Sequence, residues 1–190
     1  MKKSLPCVSY VVIVILSFLP ELKLSSESAQ LWNKSSQSTK NNFLDKQIEA
    51  LDIEIMKYYE QFDCYLHTIP GIGIIGAATI LAEIGDISRF KNSSALVAFA
   101  GIDPTVRQSG EFNSTHNHMS KRGSPYLRHA IFLAATTCSF HNSPLNAYYK
   151  KKRDQGKHHL TATGAVARKL TTVIYAVLRD SKPYEPKKFC

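Results

Sequence analysis

Seven apolar residues, Leu44, Ile48, Leu51, Ile55, Tyr58, Phe62 and Tyr65, recur at spacings of 4, 3, 4, 3, 4 and 3. That rhythm puts all of them on one narrow face of an α-helix and on no face of a β-strand. Asp45, Lys46, Glu49, Glu54 and Lys57 fall off the seam and keep the other faces polar. A seam of three heptads is marginal alone and must be covered by another helix. The expectation is a coiled-coil-like helix over residues 43–66. Self-association through the 44–65 segment and packing on the following domain are the two ways to bury it. Pro70 ends the helix, because the residue before a proline is pushed out of the helical region.

The residues before this helix are of two kinds. Residues 1–24 open with Lys2 and Lys3 and continue as an apolar run, Val8 to Leu16, which is short for a membrane span. A signal peptide, a weak anchor and an incidental leader on a truncated reading frame all fit that pattern. Residues 25–42 are rich in Ser, Asn, Lys and Gln and read as a linker.

After Pro70 the chain reads as helices separated by glycine and proline. Ile69-Pro70-Gly71-Ile72-Gly73 makes a tight turn into an apolar helix running to Glu83. Two glycines there let backbone N–H groups approach an anion at the helix start. The pattern over 66–83 resembles a helix-hairpin-helix, a motif that grips DNA phosphates without reading sequence. A glycine-rich turn used only for packing has the same residues. Ser93-Ser94 caps a short helix, and a small β-hairpin is expected between Thr105 and His118. Helices follow from Pro125 to about Phe140, from Ser143-Pro144 to Gly156, and from Thr161 or Thr163 onward. The last of these buries Ala167, Leu170, Ile174, Val177 and Leu178. The tail from Lys182, with two prolines, is expected to fray.

The chemistry concentrates between Gly101 and Arg128. Met119-Ser120-Lys121-Arg122-Gly123-Ser124-Pro125-Tyr126-Leu127-Arg128 sets a hydroxyl directly beside two cations, with a third on the helix that Pro125 opens. Serine is a weak nucleophile unless charge is stabilised around it, and Lys and Arg are suited to gripping phosphate. Ser120 therefore reads either as a nucleophile aimed at a phosphodiester or as a helix cap beside a solvated loop. Ser109, in Gln108-Ser109-Gly110, is the runner-up nucleophile, without adjacent cations. Asp103 has either a positioning role or a turn role before Pro104. His116-Asn117-His118 lacks a nearby third ligand, and no C-x-x-C pair occurs among Cys7, Cys64, Cys138 and Cys190, so no metal site is expected. Scattered cysteines fit a reducing compartment. Tyr148 and Tyr149 beside Lys150-Lys151-Lys152-Arg153 serve either base stacking or core packing.

Charge points the same way. The 190-residue chain carries +9 overall, yet Lys121 to Cys190 alone holds 14 Lys and Arg against 3 Asp and Glu. A basic C-terminal third suggests a polyanion, most often nucleic acid.

Four ordered motifs carry a family resemblance: Ile69-Pro70-Gly71-Ile72-Gly73, Phe99-Ala100-Gly101-Ile102-Asp103-Pro104, Gln108-Ser109-Gly110, and Met119 to Arg128. Together they resemble the C-terminal transposase domain of the insertion sequence 110/116/902 family, over roughly residues 66–179. The resemblance implies a mainly α fold: a long heptad-patterned helix, then a helical domain (67–181) with a helix-hairpin-helix and a small β-hairpin insertion, then a tail (182–190). It implies a DNA recombinase in which Ser120 attacks the scissile phosphate. Gly71, Gly73, Lys121, Arg122 and Arg128 would meet DNA. Family members resemble two-part enzymes whose N-terminal RuvC-like half holds Mg²⁺ through carboxylates and whose partners include a structured guide RNA. Only Glu21 and Glu27 are acidic before Asp45, so that half is expected to be missing, the chain to need no cofactor of its own, and its location to be cytoplasmic. The alternatives are a non-catalytic DNA- or RNA-binding module and a small secreted or membrane-anchored helical protein.

Overall fold

The computed structural model describes residues 37–105, 108–109, 112–113, 118–141 and 144–186. The apolar leader, residues 25–36, Cys7, Cys190, Arg107, Gly110, His116, Asn117 and Ser143 lie outside the described residues. Among the described residues the fold is mainly helical, and no helix is long and apolar enough to cross a membrane. Two compact units divide the chain, Met1–Gln61 and Phe62–Cys190.

The first unit's helix, α1, spans Gln37–Tyr59. It starts inside the stretch that reads as linker, because adding a polar turn to an established helix costs little. Leu44, Ile48 and Leu51 of the seam are exposed. The helix also stops earlier than the expected 43–66, leaving Phe62 and Tyr65 beyond its end. Cys64 and Leu66 are buried while Asp63, Tyr65 and His67 are exposed. Beyond Tyr59 the chain turns, with Cys64 N donating to Phe62 O at 2.7 Å, and Tyr65 (φ −101, ψ 16) leads into a 3-10 turn and does not continue the helix.

The second unit opens with a three-residue 3-10 turn, Leu66–Thr68, and the Pro70-Gly71 turn leads into α2, Ile74–Ile84. The limb before the turn is thus a 3-10 turn and not an α-helix, which corrects the helix-hairpin-helix expected over 66–83. The two glycines of the turn do different work. Gly71 has φ +91, and a Cβ there would lie 2.7 Å from Cys138 Sγ and 2.9 Å from Cys138 N. Cys138 Sγ donates to the Pro70 carbonyl at 2.6 Å, and burial pushes its thiol up to about 11, keeping the donor protonated. Gly73 is the exposed cap of α2, with φ −76 and nothing within 4 Å of an added Cβ. Neither Cys64 nor Cys138 forms a disulfide among the described residues.

A 3-10 turn, Ile87–Arg89, leads to α3, Ser93–Ala100, whose cap is Asn92 accepting from Ala95 N and not the expected serine pair. Two short strands follow, β1 Gln108–Ser109 and β2 Phe112–Asn113, paired antiparallel. Then come α4 Pro125–Phe140, α5 Pro144–Asp154 and α6 His159–Asp180. α6 begins ahead of the expected threonines because His158 caps it, its ring accepting from Leu160 N at 3.3 Å.

α6 is the helix the others gather around: α3, α4 and α5 all pack against it. Val166, Ala167, Leu170 and Ile174 are fully inaccessible to solvent. Each fully buried Val, Leu or Ile side chain contributes about 1.5–3 kcal/mol. The buried hydroxyls of Ser139, Thr163 and Thr171 bond carbonyls one turn back, and Tyr175 donates to the Phe90 carbonyl at 3.2 Å. The tail is held and not frayed at Tyr184, whose N–H donates to Thr68 Oγ1 at 2.9 Å.

Gly71→Ala is expected to cost about 3 kcal/mol, combining left-handed strain with a backbone clash. Gly73→Ala should cost less than about 1 kcal/mol. Urea unfolding of the two variants checks the contrast.

Candidate active site

The candidate site is built where α3 ends. Gly101 takes a left-handed conformation, φ +65, and its N–H and that of Ile102 close onto the carbonyls of Ala98 and Val97. The outgoing chain then pairs with the returning one. Thr105 N donates to His118 O at 2.7 Å, Ser120 N to Asp103 O at 2.8 Å and Lys121 N to Gly101 O at 3.0 Å, while Pro104 bridges Met119. The β1–β2 hairpin is carried between these tied segments, with Ser109 opposite Phe112.

Two glycines allow the segments to meet backbone to backbone. A Cβ on Gly123 would lie 1.7 Å from the Phe99 carbonyl oxygen, and one on Gly101 would lie 2.8 Å from Gly123 N. Ser124 N reaches the Phe99 carbonyl at 2.9 Å. Ser124 caps α4, accepting from Leu127 N at 3.1 Å, and its hydroxyl donates to Glu83 Oε2 at 2.6 Å. Pro125 occupies the first turn of α4, as its sequence predicts. Arg128 Nη1 donates to the carbonyls of Ala100 at 3.2 Å and Gly123 at 3.5 Å. Its guanidinium therefore holds the loop from within.

Ser120 is half-buried, and its hydroxyl donates to Asp103 Oδ1. Arg122 Nη2 lies 3.3 Å from the other oxygen, Asp103 Oδ2, with the Arg122 side chain 77% exposed and that of Asp103 24%. The Ser120 hydroxyl holds the Asp103 carboxyl below its usual range, burial opposes it, and Arg122 adds to the lowering. The result is a short line of hydroxyl, carboxylate and guanidinium at the base of the hairpin. Asp103 orients the hydroxyl, and as a depressed carboxylate it is a weak base. Lys121 is exposed, holds φ +54, and has no ion pair among the described residues.

The structure thus brings Ser120, Lys121 and Arg122 into one loop, which Arg128 braces from α4, while Gly71 lies against α4 and Gly73 caps α2. Among the described residues no group of three or more His, Cys, Asp or Glu side chains gathers closely enough to hold a metal ion. Tyr149 is hydrogen-bonded to His159 Nδ1 at 2.7 Å. Tyr148 instead lies between Lys152 and Lys169, whose ammonium groups are 5.4 and 5.0 Å from its ring centroid. Glu83 stands in the sequence only as the end of an apolar helix, and its bond to Ser124 is not legible there, since the two are 41 positions apart.

Residues 63–150 match the family described as Transposase IS116/IS110/IS902 family. The chain is 35% identical over 123 residues to an IS110 insertion-element protein of Streptomyces coelicolor, covering 64% of this chain and 30% of that protein. It is 32% identical over 145 residues to an IS116 insertion-element protein of Streptomyces clavuligerus, covering 75% and 36%. A pilin gene-inverting protein of Moraxella bovis is 34% identical over 123 residues, covering 64% and 38%. The chain therefore spans about a third of the length of these relatives.

Two outcomes follow from the geometry. Gly123→Ala is expected to cost about 3 kcal/mol or more, because the Phe99 backbone must move. Gly156→Ala, with φ +76 and open space around it, should cost only about 1–2 kcal/mol. Thermal unfolding compares them. Because the Asp103 carboxyl is lowered, its contribution to stability is complete above the ordinary value of 3.8 and disappears as pH falls through the lowered one. Asp103→Asn should therefore flatten the loss of stability seen on acidification below about 3.8, measured by denaturation at stepped pH.

Proposed function

This chain belongs to the IS116/IS110/IS902 transposase family, and from that premise we propose that its helical domain binds DNA and supplies a serine for strand cleavage and transfer. The transposase domain is shared with the relatives, and the serine chemistry, the DNA contact and the partners are proposed from it. The observation that carries it is the array of Ser120, Asp103 and Arg122 at the base of a cationic loop.

In this reading Ser120 Oγ bonds to the scissile phosphorus while the bridging bond to one strand oxygen breaks. The hydroxyl proton leaves through Asp103 and is delivered, by way of water, to the departing oxygen. The phosphoserine ester keeps the phosphate activated, so a second strand hydroxyl can displace the serine by the reverse step. Lys121 and Arg122 offset the charge that builds on the phosphate. A metal-bearing nuclease half, in a longer partner, would supply Lewis-acid activation of the same phosphate. Exposed Leu44, Ile48 and Leu51 support pairing with such a partner or with a second copy through the 44–65 segment. A structured guide RNA is the second nucleic-acid partner in this reading.

One observation favours a different hydroxyl. Asp103 sits against Ser120 as an anion, and an anion repels an incoming phosphate. On that ground Ser109 becomes the attacking group and the Ser120–Asp103 contact becomes the clasp that holds the hairpin base.

The test mixes the chain with a full-length relative and labelled element-end DNA, then looks for a covalent DNA adduct on a denaturing gel. Loss of the chain's adduct in Ser120→Ala, with Ser109→Ala unaffected, is the expected result. The reverse pattern moves the chemistry to Ser109. An adduct that survives both substitutions refutes serine chemistry. DNA binding with no adduct from the unaltered chain leaves a non-catalytic binding module.

A further inference from the structure

A cleft of about 580 Å³ opens between α3, α5 and α6, away from the serine hydroxyl but sharing a wall with it. Its lining includes Ser93 and Ser94 from α3, Tyr148 and Lys152 from α5, and Arg168 and Lys169 from α6. Asp103 also lines it and is the one carboxylate that does. Both Asp103 oxygens already have partners, Ser120 on one and Arg122 on the other. No ion pair is made by Lys152, Arg168 or Lys169 among the described residues. Lys152 donates to the neutral Gln155 Oε1 at 3.2 Å, and both lysines lean on the single Tyr148 ring.

We propose that this cleft is a phosphate-binding track for a nucleic-acid strand, laid so that the strand runs past the Ser120 loop. The inference rests on the reading that the chain binds nucleic acid. Like charges gathered around one ring without counter-charges raise the local potential and favour an anion. A phosphodiester fits the donor types: the Arg168 fork can take two non-bridging oxygens, and the lysines act as point charges. The first turn of α3, where Ser93 and Ser94 stand, adds the positive end of a helix dipole on the opposite wall. The cations are half-buried and spread over two helices. That spacing suits a backbone lying across the cleft better than a small anion enclosed by it. The Asp103 wall joins the track to the loop, so one strand can touch both sets of cations.

The test uses the full chain and a labelled 20-nucleotide duplex, with anisotropy read between about 50 and 200 mM salt. Replacing Lys152, Arg168 and Lys169 together by Gln is expected to reduce the slope of log K against log salt by roughly 2 to 3. Because that triple variant alters part-buried positions, lysine acetylation of the unaltered chain provides a second measure. Bound duplex should protect Lys152 and Lys169, as read by mass spectrometry. An unchanged slope and unprotected lysines, with Lys121→Gln/Arg122→Gln still weakening binding, overturn the track and leave the nucleic-acid reading standing. Equal protection by millimolar inorganic phosphate also overturns it, in favour of a small-anion site. No duplex binding by the unaltered chain removes the broader reading together with this one.

Discussion

Gly123 lies on the carbonyl of Phe99 so closely that nothing larger than hydrogen fits between them. That contact fixes how the loop before α4 meets the end of α3, and most of the site is determined by it. The Ser124 amide reaches Phe99, the Ser124 hydroxyl reaches Glu83, and the Arg128 guanidinium reaches back over Ala100 and Gly123. Once the two backbones are joined, Lys121 pairs with Gly101 and Ser120 with Asp103. The hydroxyl is thus positioned by backbone hydrogen bonds on both sides and by a carboxylate in front. Backbone contact of this kind leaves little freedom, because each added atom must displace main chain and not a flexible side-chain end.

The helices of the second unit were largely legible in the sequence. The stripe through Ala167, Leu170 and Ile174 has the helical period and becomes the buried face of α6. Ser124 and Pro125 mark the start of α4 by their own chemistry. Two boundaries were misread because competing signals overlapped. Tyr65 continues the heptad count, yet the chain has already turned after Tyr59, and Leu66 is buried at the start of a 3-10 turn. Gln37 to Asn42 looks like linker by composition, yet polar residues are as compatible with a helical turn as with a coil.

The site was legible in outline and not in its contacts. Residue types placed Ser120 beside cations, but the cation nearest its carboxylate partner is Arg122, and Arg128 turns inward to carbonyls. Such assignments depend on partners 17 to 41 positions apart, a separation that local spacing does not encode. The α5–α6 cations illustrate the same limit. Lys152 and Lys169 read as unrelated charges on two helices, and only the packing of α5 on α6 brings both to Tyr148. Electrostatically the domain places Lys152, Arg168 and Lys169 without ion pairs along the cleft that Asp103 lines, while its buried side-chain polar atoms are all hydrogen-bonded among the described residues.

The hydrogen bond from Tyr184 to Thr68 joins the first turn of the helical domain to the segment that follows its last helix. In topological terms the domain is close to a ring whose seam lies at that contact. A covalent bridge across the seam would tie the start of this succession of helices to its end. The identity of the domain then resides in its circular succession of helices more than in the point where its chain starts.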